Sequence, residues 1–421
     1  MHEFKVRNGR LFCERVPVER IAREIGTPLY LYSYKTLTDH FTKLQRAFRD
    51  LKPLICFSVK ANGNLAILKI LVKRGAGLDI VSGGELYKAR RAGCSPSRIV
   101  FASVGKRPDE IRAALQAGIC CFNVESIPEL VAINAQARAL RRVAPVALRI
   151  NPDVEAHTHR YITTGVAESK FGIPLKEAER LILTRWREFS SVRLLGFHLH
   201  IGSQITRSAP FITAIQRVGQ LIQRVRRAGH AIELLNLGGG LGIVYKDEKP
   251  QTADAFANAV RPWLRRLNVK LVLEPGRFIV GNAGILVTQV LYVKRTTKKQ
   301  FVVVDAGMND LIRPALYSAY HEVVPAVRNG RPVRTGFDVV GPVCESADVL
   351  ARQRTLPEPS PGEYLAVMGA GAYGFVMGSN YNGRMRAAEV MVRGNRYFVV
   401  RERERMPDLV RHDRVPSALL R

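Results

Sequence analysis

Eight short apolar runs, separated by helix-forming segments, constrain the fold of this chain more than any other feature. The runs are rich in β-branched residues and end at Val59, Ser82, Ser103, Val124, Asn151, Ile201, Leu237 and Glu274. The segments between them have helical periodicity, and they are Leu65–Arg74, Gly84–Ala92, Pro108–Ala117, Ile127–Leu140, Leu175–Arg185, Pro210–Ala228 and Ala253–Leu267. Strands that are buried on both faces are continuously apolar rather than alternating. The pattern therefore predicts an α/β fold of the (β/α)8 TIM-barrel type.

A doubly wound open sheet is the rival interpretation, because it is built from the same alternation of strands and helices. Polar residues recur at the end of nearly every run, as expected if all eight strand ends converge on one face of a closed barrel. We therefore favour the barrel.

The alternation of strands and helices ends at about residue 284, after which strand-like runs follow one another without long helices between them. These runs are ILVTQVLYV, QFVVVDA, FDVVGPV, YLAVMGA, AAEVMV and RYFVVRE, and the Pro- and Gly-rich segment Leu356–Gly362 is typical of turns. A chain of 421 residues has room for two or three domains. We predict a barrel over residues 34–283 and an all-β domain, sandwich-like or barrel-like, over residues 284–421. The segment 1–33 is predicted to pack on the β domain.

Composition limits the compartment and the partners. The formal charge of +29 is compatible with a polyanion partner, but the basic residues are spread along the chain and no nucleic-acid-binding signature is present. We therefore predict no specific nucleic-acid partner. The six cysteines form no CxxC pair or disulfide framework, and no signal peptide or membrane-length apolar run is found. We therefore expect a soluble cytoplasmic protein. We also expect no metal ion, because the sequence has no HExxH motif, CxxC motif or paired-carboxylate spacing.

Lys60 directly follows the first apolar run, in CFSVKAN. At an apolar barrel rim its amine is partly desolvated, which favours the neutral form that makes a Schiff base with an aldehyde. Taken alone, this residue favours the interpretation of an ordinary surface lysine at the start of a loop, so the other residues of the rim must decide.

The seventh and eighth runs end in residues suited to a phosphate and to a ring nitrogen. Gly238, Gly239 and Gly240 in LNLGGGLG offer exposed backbone amides for a phosphate, or simply a tight turn. Glu274 in LEPGR is expected across the barrel from Lys60, where it pairs with a pyridine nitrogen or forms a rim salt bridge with Arg277.

The sixth run, HLHIGSQ, places His198 and His200 on one face of a strand. His200 lies nearer the rim and is expected to stack on a flat cofactor ring, and Ser203 to bind a phosphate. We interpret His198 as a buried core histidine.

Taken together, these residues resemble the pyridoxal-phosphate (PLP) enzymes with an alanine racemase-like barrel, the group IV decarboxylases, and within them the diaminopimelate decarboxylases. The resemblance extends from PLYLYSY to SNYNGR. It runs through SVKAN, GLDIVSGGEL, FGI, HLHIGSQI, LNLGGGLGI, LEPGR, DAGMNDLIRPALY, GPVCESADVL and GAYGF. It implies decarboxylation of meso-2,6-diaminopimelate to L-lysine and CO2 through a PLP Schiff base, the last step of lysine biosynthesis.

The resemblance also implies a role for each site residue. Lys60 carries PLP, His200 stacks on its ring and Glu274 meets the pyridine nitrogen. The remaining cofactor contacts are Ser203, Gly238, Gly239, Gly240, Gly276, Arg277 and Tyr373. The distal carboxylate of the substrate is bound by Arg277, Arg313 and Tyr317, and its distal ammonium by Glu345, with Tyr373 also near the substrate.

Cys344 is implied to be the catalytic proton donor, supplied together with Glu345 by the neighbouring subunit of a homodimer with active sites at the subunit interface. A small buried structural cysteine is the alternative. Its position beside an acidic residue, after Gly341 and Pro342, favours catalysis.

Two other functions fit parts of the sequence. A decarboxylase for ornithine, lysine, arginine or carboxynorspermidine would share the fold, but Glu345 and the cationic carboxylate site disfavour it. A noncatalytic PLP-binding or polyanion-binding homologue is disfavoured because Lys60, Cys344 and a C-terminal β domain are all present.

Overall fold

The computed structural model describes residues 2–155, 170–328 and 330–421. These residues form two compact units: one contains residues 38–280, and the other joins residues 1–37 to residues 281–421. Within the described residues, no helix is both long and apolar enough to cross a membrane.

The chain begins with a small antiparallel sheet. Its strands are β1 (Phe4–Arg7), β2 (Arg10–Cys13) and β3 (Val16–Pro17), followed by α1 (Val18–Ile25), β4 (Leu29–Ser33) and α2 (Tyr34–Ala47). Asn8 and Gly9 both have positive φ and form the turn between β1 and β2, as Asn-Gly pairs commonly do in hairpins.

The eight apolar runs form a closed parallel barrel. Its strands are β5 (Leu54–Ser58), β6 (Gly77–Ile80), β7 (Ile99–Phe101), β8 (Cys121–Val124), β9 (Ala144–Asn151), β11 (Val192–His198), β12 (Leu234–Asn236) and β13 (Lys270–Leu273), with the two-residue β10 (Ile173–Pro174) beside β9. The barrel closes because β13 pairs in parallel with β5. The predicted barrel is therefore confirmed, and the open sheet is excluded.

The predicted helices follow the barrel strands. They are α3 (Leu65–Lys73), α4 (Gly83–Arg91), α5 (Pro108–Ala117), α6 (Ile127–Ala139), α7 (Leu175–Arg180), α8 (Ala209–Arg227) and α9 (Ala253–Leu267). The short α10 (Arg277–Val280), which was not predicted, follows β13. Several begin where a hydroxyl accepts a backbone N–H of the first turn: Ser82 caps α4, Ser126 caps α6 and Thr252 caps α9. The strands are packed inside by apolar side chains, whereas buried polar side chains lie at or just beyond their carboxyl ends.

The second unit is rich in strands. It contains β14 (Gly284–Arg295), β15 (Gln300–Val304), α11 (Arg313–Tyr317), β16 (Val323–Pro325), β17 (Val333–Val340), β18 (Val349–Pro357), β19 (Tyr364–Val367), β20 (Ala388–Arg393), β21 (Arg396–Arg401) and α12 (Met406–Val410). The first half of β14 lies between β4 and β19, and its second half pairs with β15. β4 in turn pairs with β20, so it lies inside the sheet. The predicted turn at Leu356–Gly362 begins later than expected, because β18 continues to Pro357.

Candidate active site

Lys60 lies in a single helical turn directly after β5, with its side chain about one third exposed (32%). Its Nζ is 3.2 Å from Oδ2 of Asp79. The same oxygen accepts a hydrogen bond from the Ser58 hydroxyl at 2.7 Å. The prediction that apolar side chains alone surround this amine is therefore wrong, because a buried carboxylate faces it.

Asp79 lies inside β6, between Leu78 and Ile80, and is completely buried. Its Oδ1 has no hydrogen-bond partner among the described residues. Burial raises the pKa of this carboxyl, and the negative charge of Glu274 raises it further. The sequence analysis missed Asp79, although a carboxylate inside an apolar strand is itself a signal of a functional site.

Glu274 is buried at the end of β13 and is held by three side chains. Its Oε1 accepts from Nδ2 of Asn123 at 2.8 Å and from Nδ2 of Asn236 at 2.6 Å. Its Oε2 is 3.1 Å from Nε2 of His198. A carboxylate has about four acceptor positions, so one remains for a further N–H donor.

Burial alone would raise the pKa of Glu274, but the charge and hydrogen bond of His198 outweigh it, with help from the charge of Lys60. The net effect is a pKa well below the usual value for glutamate. The residue is therefore an ionised acceptor in a buried place, which suits it to hold a proton on a ring nitrogen.

Two interpretations of this region are corrected by these contacts. His198 is buried as expected, but it serves the carboxylate of Glu274 rather than only filling the core. The alternative salt bridge between Glu274 and Arg277 is absent from the ion pairs of the described residues. Instead, Arg277 donates to the hydroxyl of Tyr245 at 2.7 Å and to that of Ser203 at 3.1 Å.

Lys60 and Glu274 lie beside each other in the barrel, not across it. They follow β5 and β13, which are hydrogen-bonded neighbours because the barrel is closed. The hydroxyl of Ser58 is 2.7 Å from Oδ2 of Asp79, which contacts Lys60, and 3.0 Å from the backbone carbonyl of Glu274. The amine and the acid thus border one polar cluster.

His200 follows β11, and its Nδ1 accepts the backbone N–H of Gly239 at 3.2 Å. Burial lowers the pKa of its imidazole well below the usual value, and the positive charges of Arg149 and Lys60 lower it further. The ring is therefore neutral and carries its proton on Nε2. A neutral, flat ring is suited to stacking on another aromatic ring.

The glycine run after β12 has no room for side chains. A Cβ at Gly238 would lie 2.2 Å from the carbonyl oxygen of Leu199, and one at Gly239 would lie 2.3 Å from that of Glu274. Gly238 and Gly240 also have φ of +66° and +108°, a region that favours glycine.

The amides of this run are less available than the sequence suggested. The N–H of Gly238 donates to Oδ1 of Asn236 at 2.9 Å, and that of Gly239 donates to His200. Ser203 and Arg277, which contact each other, are therefore the stronger candidates for binding a phosphate. Gly276 lies at the start of α10, where its carbonyl accepts the N–H of Ile279.

A buried ion pair that the sequence analysis missed supports this end of the barrel. Arg149 donates from NH1 to Glu125 at 2.6 Å and from NH2 to the carbonyl of His200 at 3.2 Å. Glu125 also accepts the N–H of Gly172 at 3.0 Å. The pair fixes the backbone of His200.

The other unit carries the remaining predicted residues. Arg313 and Tyr317 are the first and last residues of α11, four apart, and therefore lie on one face of it. Tyr373 has a φ of +55°. A non-glycine residue in this region is strained, and such strain is often found at functional sites.

Cys344 and Glu345 are both exposed on a single chain, so the alternative of a buried structural cysteine is wrong. The backbone N–H of Cys344 donates to Oδ1 of Asn382 at 2.7 Å. The carboxylate of Asp348 accepts the N–H groups of Val343 at 2.7 Å and Met308 at 2.6 Å. The turn that carries the thiol is therefore fixed on both sides, by two side chains that the sequence analysis had not named.

The residues of the barrel unit fit the cofactor that the resemblance implies. They provide a primary amine, a neutral flat imidazole, an ionised carboxylate with one acceptor position left, and a hydroxyl beside a guanidinium. The uncompensated Oδ1 of Asp79 adds a buried acceptor to the same cluster. Within the residues that the structure describes, no group of His, Cys, Asp or Glu side chains is arranged to hold a metal ion.

Comparison with known proteins places these features in a family. Residues 34–281 match the model of the pyridoxal-binding domain of pyridoxal-dependent decarboxylases. The chain is 47% identical to the diaminopimelate decarboxylase of Pseudomonas aeruginosa over 97% of this chain and 98% of that protein. It is 48% identical to that of Neisseria meningitidis serogroup B over 94% of both chains.

Solved structures agree with the sequence relatives. The crystal structure of diaminopimelate decarboxylase from M. jannaschii in complex with L-lysine superposes with a TM-score of 0.94, at 37% identity and full coverage of both chains. The Helicobacter pylori enzyme with L-lysine has a TM-score of 0.89 at 40% identity, covering 93% of this chain and 98% of that one.

Proposed function

Because this chain belongs to the pyridoxal-dependent decarboxylases, in the branch of the diaminopimelate decarboxylases, we propose that it converts meso-2,6-diaminopimelate to L-lysine and CO2, the last step of lysine biosynthesis. The single observation that carries this proposal is the buried Glu274 carboxylate. It is kept ionised by His198 and has one acceptor position left. The backbone carbonyl of the same residue is linked through Ser58 and Asp79 to the amine of Lys60.

Pyridoxal phosphate is the cofactor. Lys60 would carry it, His200 would stack on its ring and Glu274 would meet its ring nitrogen. The residues that would hold its other parts are Ser203, Gly238, Gly239, Gly240, Gly276, Arg277 and Tyr373. When bound, the cofactor supplies an electron-withdrawing ring that accepts the electron pair left when CO2 departs.

The protein's own residues set the protonation states that this chemistry needs. Glu274 holds a proton on the ring nitrogen, because its low pKa keeps it ionised as an acceptor. Asp79 orients the amine of Lys60 by accepting a hydrogen bond from it. A neutral His200 stacks without adding a second positive charge beside the ring.

The substrate is recognised by groups of matching shape and charge. Arg277, Arg313 and Tyr317 bind the distal carboxylate, since guanidinium groups offer paired donors that match its two oxygens. Glu345 accepts the distal ammonium. The hydroxyl of Tyr381, 3.5 Å from Oε2 of Glu345, supports the orientation of this carboxylate.

Cys344 donates the proton to the carbon that has lost CO2, and it does so from a second copy of the chain. The exposure of both Cys344 and Glu345 on a single chain supports this arrangement, because a proton donor must face its substrate rather than bulk water. The working enzyme is then a homodimer with active sites at the subunit interface.

The enzyme is proposed to work in the cytoplasm. All six cysteines are free thiols, which is typical of a reducing compartment.

The substrate assignment is tested by supplying meso-diaminopimelate, its LL isomer, D-ornithine and L-ornithine separately and measuring CO2 release. We expect release from the meso isomer alone at a substantial rate, because the carboxylate-binding cations would have no partner in ornithine. Comparable turnover of ornithine would favour the alternative of another basic amino-acid decarboxylase.

The cofactor assignment is tested by the absorbance of the purified protein. We expect a band near about 420 nm that is lost in Lys60→Ala. If the wild type and Lys60→Ala have the same absorbance spectrum and the wild type releases no CO2, a noncatalytic homologue would be favoured.

A further inference from the structure

His321 contacts Arg313, the guanidinium proposed to bind the distal carboxylate. NH1 of Arg313 lies 2.8 Å from Nε2 of His321, and Nδ1 of His321 lies 2.8 Å from the backbone oxygen of Met368. Both side chains are buried, with 1% of His321 and 7% of Arg313 exposed. The imidazole therefore bridges α11 and the residue that follows β19.

The two contacts determine which nitrogen of the ring carries the proton. A guanidinium only donates and a carbonyl only accepts, so Nδ1 must bear the hydrogen and Nε2 the lone pair. A protonated imidazole would have no acceptor left for Arg313. His321 is thus a neutral ring with a fixed acceptor aimed at the guanidinium.

The backbone around this histidine is itself fixed. NH2 of Arg354 donates to the carbonyl of His321 at 3.0 Å. The same guanidinium lies 3.9 Å from the ring centre of Tyr320, a distance typical of cation–π stacking. The backbone of His321 is therefore held by a hydrogen bond from a residue of β18.

We propose that His321 is the positioning residue for Arg313 and, through it, sets the selectivity of the site for a ligand that carries a distal carboxylate. This rests on the proposed function, in which Arg313 binds that carboxylate. A free arginine side chain loses rotamer entropy when it binds. One that is already held in place by His321 loses less, and its fork meets the carboxylate in a fixed orientation.

The test compares the PLP-loaded wild type with His321→Phe and His321→Gln. Phe keeps a flat ring but has no acceptor. The amide of Gln supplies both an acceptor for Arg313 and a donor for Met368. Two matched ligands separate the effects: L-lysine has the carboxylate in question, and cadaverine is the same molecule without it. Inhibition constants for both are measured against diaminopimelate, together with KM and kcat.

We expect His321→Phe to raise the KM for diaminopimelate and the inhibition constant of L-lysine about 3- to 30-fold, the range for ordering one long side chain on binding. The kcat and the inhibition constant of cadaverine should change less than about threefold, since neither uses Arg313. His321→Gln should recover most of the affinity for L-lysine. If the Phe variant does not fold, His321→Met replaces it.

An unchanged L-lysine affinity in the folded variant, or equal losses for L-lysine and cadaverine, would overturn the role of His321. That result would leave the proposed function intact, because the wild type would still release CO2 from diaminopimelate. A wild type that does not release CO2 overturns the proposed function, and the inference with it.

Discussion

At the scale of single residues, the ionisation of the buried Glu274 carboxylate depends on one histidine, His198. Glu274 is buried, and burial by itself disfavours its charge. The contact with Nε2 of His198, 3.1 Å away, reverses that effect. The orphaned Nδ1 of His198 shows that its ring is oriented for Glu274 and not for a second partner among the described residues.

Replacing His198 with Phe should make activity sensitive to acid. Without the histidine, the pKa of Glu274 rises, so the carboxylate is lost as the pH falls through the new value. In the wild type the depressed pKa keeps it ionised. We expect kcat/KM at pH about 6 to fall about tenfold relative to pH about 8, and the pH profile measures this. His412→Phe, at an exposed histidine, is the control. A variant with the wild-type acid limb would contradict the role of His198.

Asp310 should make the stability of the β unit depend on pH. Burial raises its pKa to about 7, although its hydrogen bond from the N–H of Gly307 works against the shift. A carboxyl whose pKa is raised in the folded state contributes stability at low pH, and this is lost as the pH rises towards 7.

Asp310→Asn keeps an acceptor for Gly307 but does not titrate. We expect it to gain stability relative to the wild type as the pH rises from about 5 to 7, by up to about 1.4 kcal/mol per pH unit. Thermal unfolding at several pH values measures the difference, which should level off above pH 7. A difference that does not vary with pH would mean that Asp310 is already ionised.

Residue roles were harder to predict from the sequence than residue positions. Lys60, His200 and Glu274 were found because each follows an apolar run at a barrel rim. His198 was assigned to the core because its partner, Glu274, lies 76 residues further along the chain. Asp79 was missed although Lys60 is only 19 residues away, because apolar periodicity does not show which side chains of neighbouring strands meet.

At the scale of elements, the loop after β12 is built around backbone contacts. Gly239→Ala should destabilise the barrel unit by about 1–3 kcal/mol and weaken cofactor binding, because its Cβ would lie 2.3 Å from the carbonyl oxygen of Glu274. Denaturant unfolding and cofactor titration measure both effects. Gly84→Ala in α4 is the matched control, since its nearest neighbour is an ordinary 3.7 Å away. Equal free energies of unfolding for the two variants would show that the loop after β12 shifts to accommodate the added Cβ at little cost.

The turn that bears Cys344 should depend on Asn382, whose φ of +58° suits asparagine or glycine. Asn382→Gly keeps the backbone but removes the acceptor for the N–H of Cys344, so kcat should fall about fivefold, the value of one hydrogen bond. Asn382→Asp keeps an oxygen acceptor and should stay near the wild type. Steady-state rates and the alkylation rate of Cys344 measure the effect. Equal rates in both variants would show that the turn is fixed without this bond.

The elements of the barrel were predictable because each of its strands is a continuous apolar run followed by a helix. The β unit was less so. β18 was missed because Arg352, Gln353 and Arg354 interrupt its pattern, and Gln353 has a positive φ where the pairing with β17 is irregular. β16 has only three residues, too few for periodicity to be recognised.

At the scale of the whole molecule, the proposed homodimer with shared active sites leads to a quantitative prediction. Lys60→Ala and Cys344→Ala should each be inactive alone. Mixed in equal amounts and allowed to exchange subunits, they should regain about a quarter of the wild-type activity. This is because half the dimers are mixed, and each of those has one intact site. No recovery, with exchange shown by mass, would place Cys344 in the same subunit as its Lys60.

Part of the strongly basic charge has a structural use. Arginines are frequent at the ends of the barrel helices, as in the last turns of α8 and α9, where cations complement the helix dipole. Arg226, for example, donates to the carbonyls of Ile232, Leu267 and Asn268. The excess of Arg over acidic residues therefore does not require a polyanion partner.

The place of β4 inside the sheet has a consequence for how the protein is made. As the chain leaves the ribosome, this strand appears early, but its neighbours β14 and β20 come only after the whole barrel segment. The nascent strand must stay unpaired while the barrel segment is translated, and unpaired edges invite association between chains. A clone that begins after residue 33 would lack β4, and the sheet formed by the C-terminal part of the chain would therefore lose one of its inner strands.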